Sequence, residues 1–258
     1  MNICISDKKR KECFISLFQV ISRCSSIIST TFDTEFIHIQ GMDKSHICLF
    51  QVKIDKKWFS IYEVKEKINL SFDTNNFYSI ISIKSDNHNL VIKTTTSNPD
   101  TMAILFQPIG SVKGEFKKSF KMPLTDYDYE ELNIPTVDYD AEFTLSSKQI
   151  SDMFNQLGNF GNDIVFKCTE EEIQLTTTGV TGEMKVDIPI EDLSIYSIVE
   201  GGQLDLTYSL AYMNKMCITN KLSTEIDFAI SSNYPMKIHY DLEDDSYIDF
   251  YIATKISD

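Results

Sequence analysis

Residues 141–168 have the sequence AEFTLSSKQISDMFNQLGNFGNDIVFKC, which contains two different hydrophobic periods. Apolar residues alternate with polar ones around Phe143 and again from Ile164, which predicts two strands with one face on a core. Between these runs, apolar residues recur at the spacing of a helix face, which predicts an amphipathic helix. The helical positions are Ile150, Met153, Phe154 and Leu157. The stretch therefore predicts a strand–helix–strand unit.

The same plan is found elsewhere in the chain. Helical spacing also appears at Phe14–Ile21, Phe77–Ile81 and Leu206–Cys217, with alternating runs between these segments. The first and third helical patterns lie 136 residues apart, and the second and fourth lie 133 apart. A plan that is used twice predicts an internal duplication. The predicted fold class is α+β, with two similar domains that each pack two helices on antiparallel sheets.

Residues 124–139 separate the two halves. The segment is acidic, has no core period and contains Pro135 near its end, which predicts an exposed connector. The predicted division is an N-terminal domain at 1–123, the connector at 124–139 and a C-terminal domain at 140–258. Leu132 and Ile134 are apolar residues flanked by charge, so they mark either a binding surface or a segment that packs back onto a domain.

Composition narrows the class of protein. Hydrophobic residues make up 42% of the 258 residues, which is enough for a sizeable core. No apolar run reaches the eighteen or so residues of a transmembrane helix. The charges at the N-terminus follow a short apolar piece, which is the wrong order for a secretory signal. Six scattered cysteines without a Cys-x-x-Cys pair predict a reduced, intracellular protein.

The motifs of common enzymes are missing from the sequence. The four histidines fall in unrelated strands or turns, and His46 has no second metal ligand suitably placed. Gly158 and Gly161 follow a helical pattern rather than open one after a strand, which fits a helix C-terminus and not a dinucleotide site. The acidic residues 126–131 lack the glycine and spacing of a calcium loop. We therefore expect no catalytic residues, no cofactor and no metal.

Several segments resemble the eukaryotic-type sliding clamp, the proliferating cell nuclear antigen family, in order and spacing over essentially the whole chain. They are Met42–Leu49, Leu132–Pro135, Leu206–Asn214 and Phe250–Ile256. This sequence departs from the family at Thr254, where proline is usual, and in a longer stretch around 110–121. The resemblance implies a DNA-clamp fold that assembles into a homotrimeric ring, with sheets outside and helices lining the hole. Such a ring encircles duplex DNA and tethers DNA polymerase and other replication and repair proteins as a processivity factor.

The resemblance also implies a pocket beneath the connector. DNA polymerase, the clamp loader and other partners would insert a short aromatic-tipped motif there. The matching positions are Met42, His46, Leu49, Leu132, Ile134, Pro135, Pro235, Tyr251 and Ala253. The alternative for most of these residues is ordinary strand packing.

Subunits of the family join through edge strands. The matching segments are about 114–122 and 180–188, where Phe116, Phe120 and Met122 would meet Met184 and Val186. Pairing of this kind satisfies backbone groups that would otherwise invite aggregation. The alternative is that both strands simply cap their own sheets.

The charge of −14 argues against ordinary DNA binding, which depends on Lys and Arg neutralising phosphates. The polar faces of the helices should line the hole, and Ser16 is one such residue on the first helix. These faces carry mainly Ser and Asn where the family carries basic residues. The residues expected to face DNA are Lys11, Arg23, Lys84, Lys148, Lys215 and Lys221. The sequence therefore predicts a ring that holds DNA by enclosure more than by attraction.

Two alternatives remain open from the sequence. One is a clamp-like subunit of a heteromeric, checkpoint-type ring, and the other is a clamp-fold scaffold that never encircles DNA. Abundant isoleucine, lysine and asparagine indicate an AT-rich genome, such as that of a parasite or a large DNA virus. The expected location is accordingly a nucleus or a viral replication site.

Overall fold

The computed structural model describes residues 1–83, 86–95, 98–111, 113–127 and 129–255. The chain forms two compact units. Unit 1 comprises Met1–Gly41, Gln51–Glu131 and Leu242–Ile248, and unit 2 comprises Met42–Phe50, Leu132–Asp241 and Asp249–Asp258. Each unit thus takes a short segment from the range predicted for the other domain, and the main division falls inside the predicted connector.

The first half of the chain contains two helices and nine strands among its described residues. They are β1 (Asn2–Ile5), α1 (Lys8–Cys24), β2 (Ile27–Phe32), β3 (Phe36–Met42), β4 (Cys48–Asp55), β5 (Ile61–Glu63), β6 (Ile68–Asp73), α2 (Thr74–Ile81), β7 (His88–Thr95), β8 (Asn98–Pro108) and β9 (Lys118–Pro123).

The second half repeats this element order. Its elements are β10 (Ala141–Ser146), α3 (Ser147–Leu157), β11 (Asp163–Cys168), β12 (Glu172–Gly179), β13 (Gly182–Pro189), β14 (Ile195–Ile198), β15 (Leu204–Ser209), α4 (Leu210–Met216), β16 (Glu225–Ile230), β17 (Met236–Asp241) and β18 (Tyr247–Ile252).

The strand order is also the same in the two halves. The first half has the orders β5-β1-β7-β8-β9 and β4-β3-β2-β6, and the second half has β14-β10-β16-β17-β18 and β13-β12-β11-β15. Neighbouring strands are antiparallel, as in the β8–β9 and β12–β13 pairs. The predicted α+β class with two similar domains is therefore confirmed strand for strand.

The core of unit 1 is aromatic. Phe14 and Phe18 on α1 meet Phe77 on α2, with the Phe18 and Phe77 ring centroids 4.5 Å apart. Phe72 and Trp58 complete the cluster, and all five side chains are buried. Each contributes about 1.5–3 kcal/mol through its removal from water. The predicted apolar stripes of both helices are thus the faces that hold them on the sheets.

Unit 2 has an equivalent core. Phe154 on α3 packs against Phe166 on β11 and Phe228 on β16, and Phe143 on β10 stacks on Phe228 at 5.0 Å. Tyr208 on β15 lies edge-on to Phe166. The strand–helix–strand unit predicted from residues 141–168 supplies three of these five rings.

Helix α2 begins at Thr74, because the Asp73 carboxylate before it accepts the capping hydrogen bond from Asn76 N at 2.7 Å. One local prediction was wrong. Leu206, predicted as helical, lies in β15, since residues 204–209 pair with β11. Helix α4 therefore starts only at Leu210. None of the described helices is both long and apolar enough to span a membrane.

Candidate partner pocket, subunit edges and DNA-facing residues

The turn between β3 and β4 is held together by one carboxylate, that of Asp43. This buried group accepts hydrogen bonds from the backbone N–H groups of Ser45, Ile47 and Cys48, at 2.7 to 2.9 Å. The Tyr212 hydroxyl on α4 donates another to Asp43 Oδ2 at 2.6 Å. Burial alone would raise the pKa of Asp43, but these hydrogen bonds outweigh it and lower the pKa below its ordinary value. Because four donors converge on it, Asp43 fixes the course of the turn.

This turn presents two of the predicted pocket residues next to each other. His46 adopts φ +56°, a left-handed conformation that residues other than glycine rarely adopt. Its Nδ1 lies 2.9 Å from Met42 Sδ. Leu49 follows on β4, where it is half-buried while the neighbouring Cys48 is fully buried. Met42, His46 and Leu49 therefore lie on one segment and are each at least partly open to solvent.

The segment after β18 runs beside the same turn. Ala253 N donates a hydrogen bond to Ile47 O at 3.0 Å, and Lys255 N donates to Thr207 O at 2.8 Å. The Lys255 ammonium also pairs with Asp163 Oδ2 at 2.6 Å. These contacts place Ala253 between the turn and the end of β15.

The connector residues of the predicted pocket belong to unit 2. Leu132 is 46% exposed, Pro135 is exposed and Ile134 is half-buried. Exposed apolar residues that lie close together on a connector can mark a binding surface. The connector thus offers apolar surface on the unit that carries the rest of the predicted pocket.

Pro235 lies on the turn between β16 and β17, and Asp140, the residue after the connector, holds this turn in place. Asp140 Oδ2 accepts hydrogen bonds from Ser231 Oγ at 2.8 Å and from Ser232 N at 3.0 Å. The hydrogen bond from Ser231, followed by that from Ser232, lowers the pKa of Asp140. Tyr251, on β18, is half-buried and its hydroxyl donates to Asp249 Oδ2 at 3.4 Å.

All nine predicted pocket residues lie in unit 2. Direct contacts or hydrogen bonds bring Met42, His46 and Ala253 to the Asp43 turn, whereas the joining of the other six into one cup stays a prediction. Sequence reasoning gave Asp43 no role. The available signal was an aspartate in the polar run 43–46 between two strand patterns, where an aspartate typically accepts hydrogen bonds from the backbone of its own turn.

β9 forms one edge of the unit 1 sheet, with β8 on its inner side. Phe116, just before β9, is 73% exposed, and Phe120 is half-buried with its ring edge-on to Phe106 at 6.1 Å. Met122 differs from the prediction: it is only 2% exposed, because it faces the sheet core opposite Met102. The side chain of Met122 is therefore part of the core of unit 1, which removes it from the predicted contact surface.

β13 forms an edge of the second unit's four-stranded sheet. Met184 and Val186 are half-buried on it, and their contact with a neighbouring subunit stays a prediction. A cleft of about 320 Å³ lies between β13 and α3. It is lined by Leu145, Gln149, Asp152, Met153, Val186, Asp187, Ile188, Pro189 and Asp192. The cleft thus combines an apolar floor with three carboxylates.

Lys11 was wrongly predicted to face DNA. The residue is only 4% exposed, and its ammonium donates a hydrogen bond to His88 O at 2.7 Å. Burial lowers the pKa of Lys11. Its neighbour Ser16, predicted on the polar face of α1, is also buried. Lys11 lies on a side of α1 that faces β7, and the burial of Ser16 as well shows that the buried surface of α1 is wider than the apolar stripe alone indicated.

The basic start of α1 is already paired within unit 1. Lys9 Nζ lies 2.7 Å from Glu243 Oε1, and Arg10 forms an ion pair with Asp244. Glu243, Asp244 and Asp245 all have positive φ, so three successive residues hold a left-handed turn. The turn aims the first two carboxylates at the helix, and the third lies 3.8 Å from Lys57 Nζ. Sequence reasoning missed this pairing because more than 230 residues separate the partners.

Four of the predicted DNA-facing residues reach solvent. Arg23, Lys148 and Lys221 are exposed, and Lys215 is half-buried with its ammonium 4.7 Å from the centroid of the Tyr212 ring. Lys84 lies outside the described residues. Whether these side chains face DNA stays a prediction. Among the described residues, no group of three His, Cys, Asp or Glu side chains is placed to hold a metal ion.

Comparisons with known proteins agree over the whole chain. The family model for the N-terminal domain of proliferating cell nuclear antigen matches residues 12–131, and that for its C-terminal domain matches residues 133–255. The chain is 27% identical over 244 residues, 94% of its length and 87% of the relative's, to "Probable DNA polymerase sliding clamp 2" of Paramecium bursaria Chlorella virus 1. It superposes on a crystal structure of proliferating cell nuclear antigen from Thermococcus kodakaraensis with a TM-score of 0.87 and 18% identity, covering 98% of this chain and 99% of that one, which shows the shared fold. The chain therefore belongs to the proliferating cell nuclear antigen family of DNA sliding clamps.

Proposed function

We propose that three copies of this chain join head to tail into a ring that encircles duplex DNA and serves as a processivity factor. The proposal depends chiefly on the match between two different edges, β9 with the exposed Phe116 and β13 with its cleft. A contact between unlike edges of identical chains is heterologous, and it closes into a ring when the rotation between copies allows.

The two edges are complementary in shape and in polarity. The β9 edge offers an unburied aromatic ring, and the cleft beside β13 has an apolar floor of Leu145, Met153 and Ile188. Strand pairing between β9 and β13 of the next copy would also satisfy the backbone groups that each edge leaves outward. Phe116 would then be buried in the cleft. The removal of this one aromatic side chain from water would stabilise the contact between copies by about 1.5–3 kcal/mol.

The two edges are also complementary in charge. The β9 region carries Lys117, Lys118 and Lys121. The cleft beside β13 is lined by Asp152, Asp187 and Asp192. Such an arrangement steers unlike edges together and opposes the pairing of like edges. It therefore favours a head-to-tail ring over a two-fold dimer.

We infer that DNA is held mainly by enclosure. Lys9 and Arg10 are committed to acidic partners and Lys11 is buried, which leaves few cations near the start of α1 for phosphates. Each neutralised phosphate contributes about −0.9 to the slope of log K against log salt concentration, so the slope should be shallow. Serine and asparagine on the exposed face of α2 can still hydrogen-bond phosphates without reading sequence.

We infer that the Asp43 turn, the connector and the segment after β18 together bind a short aromatic-tipped motif. DNA polymerase is the expected partner, as the name of the viral relative indicates, and a clamp loader would use the same surface. In this role the chain is a scaffold without catalytic residues. We place it in a nucleus or at a viral replication site.

Two measurements test the ring. Size-exclusion chromatography with light scattering should give about 89 kDa, three times the 29.6 kDa chain. After loading by a clamp loader, a nicked circle should retain the protein and the same DNA linearised should release it. A monomer at micromolar concentration, or equal retention on both DNAs, would contradict the proposal. Leu132→Ala with Ile134→Ala should abolish binding of a polymerase peptide without changing the mass of the ring.

A further inference from the structure

Strand β14 (Ile195–Ile198) is an outer edge of its sheet. It pairs with β10 on one side, and none of the described strands pairs with it on the other. Hydrogen-bonded pairs alternate along an antiparallel ladder. Val199, just after the strand, donates from its N–H to Asp140 O at 2.9 Å, which fixes the phase of this alternation. The N–H and C=O groups of Tyr196 and Ile198 therefore point outward, where a further strand could pair with them.

The same edge exposes apolar side chains. Ile195 is 61% exposed and Val199 is 56% exposed. Because side chains alternate along a strand, these two lie on the same face. Exposed edge strands are usually protected by lysine, by proline or by a bulge. Residues 190–205 contain neither lysine nor proline, so the side chains of β14 do not oppose the addition of a strand.

The surroundings of β14 are acidic. Residues 190–205 carry four carboxylates and no lysine, arginine or histidine. Two more glutamates are held at the ends of the strand. Glu225 accepts a hydrogen bond from Ser194 Oγ, and Glu170 Oε1 accepts one from Gly201 N at 2.8 Å. This edge therefore favours a positively charged segment.

The duplicated half of the chain offers a contrast. β5 (Ile61–Glu63) is the edge strand at the equivalent place, since the orders β5-β1-β7 and β14-β10-β16 correspond. It also exposes an isoleucine, Ile61, which is 44% exposed. Residues 56–70, however, contain four lysines and two glutamates. Charge thus distinguishes two edges that have the same position in the repeated fold, and a basic segment would select β14.

We propose that β14 is a docking edge, separate from the pocket for the aromatic-tipped motif, which takes one extended segment of a partner protein as an added strand. The segment carries β-branched residues at alternate positions, which cover Ile195 and Val199, and lysine or arginine at both ends. Main-chain hydrogen bonds to Tyr196 and Ile198 provide affinity, and the carboxylates around the strand provide selectivity. No residue of β14 belongs to the partner pocket, the proposed subunit contact or the DNA-facing set.

A second copy of this chain fits the edge less well than a basic partner. Two β14 edges would bring the same carboxylates together, which is unfavourable. The basic β5 edge of another copy has already committed part of its charge, because Lys56 pairs with Glu35 at 2.6 Å and Lys57 lies 3.8 Å from Asp245 Oδ2.

The test titrates a fluorescein-labelled peptide, KKVTVTVKK, into the full chain and follows its anisotropy. Binding should slow amide hydrogen exchange at Tyr196 and Ile198, because their outward N–H groups become hydrogen-bonded. Ile195→Lys with Val199→Lys places two cations on the edge and should weaken binding by about tenfold or more. Ile61→Lys is the matched change on β5 and should bind as wild type. All three side chains are exposed, so melting temperatures should stay unchanged.

Two further peptides separate strand addition from attraction by charge alone. KKVPVPVKK has the same charge but lacks two N–H groups, so it should bind about tenfold more weakly. EEVTVTVEE should not bind. Equal binding of the proline peptide, or unchanged exchange at the two amides, would overturn the proposal.

Light scattering without peptide tests the second copy as occupant. An assembly larger than three chains that is lost in the Ile195→Lys, Val199→Lys variant would show self-association through β14 and would overturn the proposal of a basic partner. The peptide measurements give the same answer for a monomer and for a ring. Their failure is therefore distinct from a failure of the proposed function.

Discussion

The Tyr212 hydroxyl donates a hydrogen bond to Asp43 Oδ2 at 2.6 Å and so joins helix α4 to the turn of the candidate partner pocket. On the other side of the same ring, the Lys215 ammonium lies 4.7 Å from the ring centroid. One tyrosine thus contacts a cation proposed to face DNA and a carboxylate that shapes the proposed pocket. A change at either contact can reach the other through a single side chain.

Tyr212→Phe should loosen the Asp43 turn while keeping the ring. The lost hydrogen bond to a carboxylate corresponds to about 1–2 kcal/mol, and part of this should appear as weaker peptide binding. Isothermal titration with a polymerase-derived peptide should show a several-fold higher Kd, with the subunit mass unchanged. Tyr234→Phe, on an exposed turn of the same unit, is the matched control and should bind as wild type.

Asp43 should also contribute to acid sensitivity. Its pKa is lower in the folded protein than its ordinary value of 3.8, so its stabilising effect is fully present above that value and is lost as the pH falls through the lowered pKa. Asp43→Asn removes this titration. Urea midpoints measured from pH 7 to pH 3 should show a shallower decline for the variant than for the wild type, and parallel curves would contradict the assignment.

Phe116 and Met122 should respond differently to truncation, although both were predicted at the subunit interface. Phe116→Ala removes an exposed ring, so the monomer should melt unchanged while the ring dissociates at higher concentration. Met122→Ala leaves a cavity in the subunit's own core and should cost about 2–5 kcal/mol of folding free energy. Calorimetry and dilution measurements on both variants separate the two effects. Comparable losses of folding stability would show that Phe116 packs within its own chain.

The fold could be predicted well from the sequence because the spacing of apolar residues distinguishes its helices from its strands. The helical stripe from Phe14 and its counterpart from Ile150 are each buried as expected, and the two halves repeat the same strand order. The ends of helices and strands were predicted less accurately where the same spacing of apolar residues fits both a helix and a strand. Leu206 has helical spacing from Leu210, yet pairing with β11 makes it a strand residue.

The exposure of the candidate site residues could be predicted only where it depends on neighbours in sequence. Leu132 is apolar, flanked by charge and exposed, and each of these properties can be judged from its neighbours in sequence. The burial of Lys11 could not be predicted, because it depends on a carbonyl 77 residues away at His88. The left-handed turn at 243–245 likewise reveals its role only after folding brings it to α1.

The acidic turn at 243–245 should limit contact between the start of α1 and DNA. Glu243→Gln removes the partner of Lys9, an exposed side chain that can then reach a phosphate. Arg10 stays anchored in any case, because it also donates to Trp58 O at 2.7 Å. We therefore expect one additional phosphate contact per subunit. For subunits that engage DNA, the slope of log K against log salt should steepen by about 0.9 for each new contact.

Fluorescence anisotropy on a linear duplex across a salt series measures this slope. The matched control is Glu35→Gln, which removes the same charge and a similar ion pair, 2.6 Å from Lys56, elsewhere in unit 1. Both variants raise the net charge equally, so both should bind DNA slightly better at low salt. Only Glu243→Gln should change the slope, because it frees Lys9 at the start of α1, a helix expected to line the hole, whereas Lys56 lies outside the helices expected there. If the two slopes move together, the start of α1 does not face DNA, and the acidic turn serves the stability of unit 1 instead.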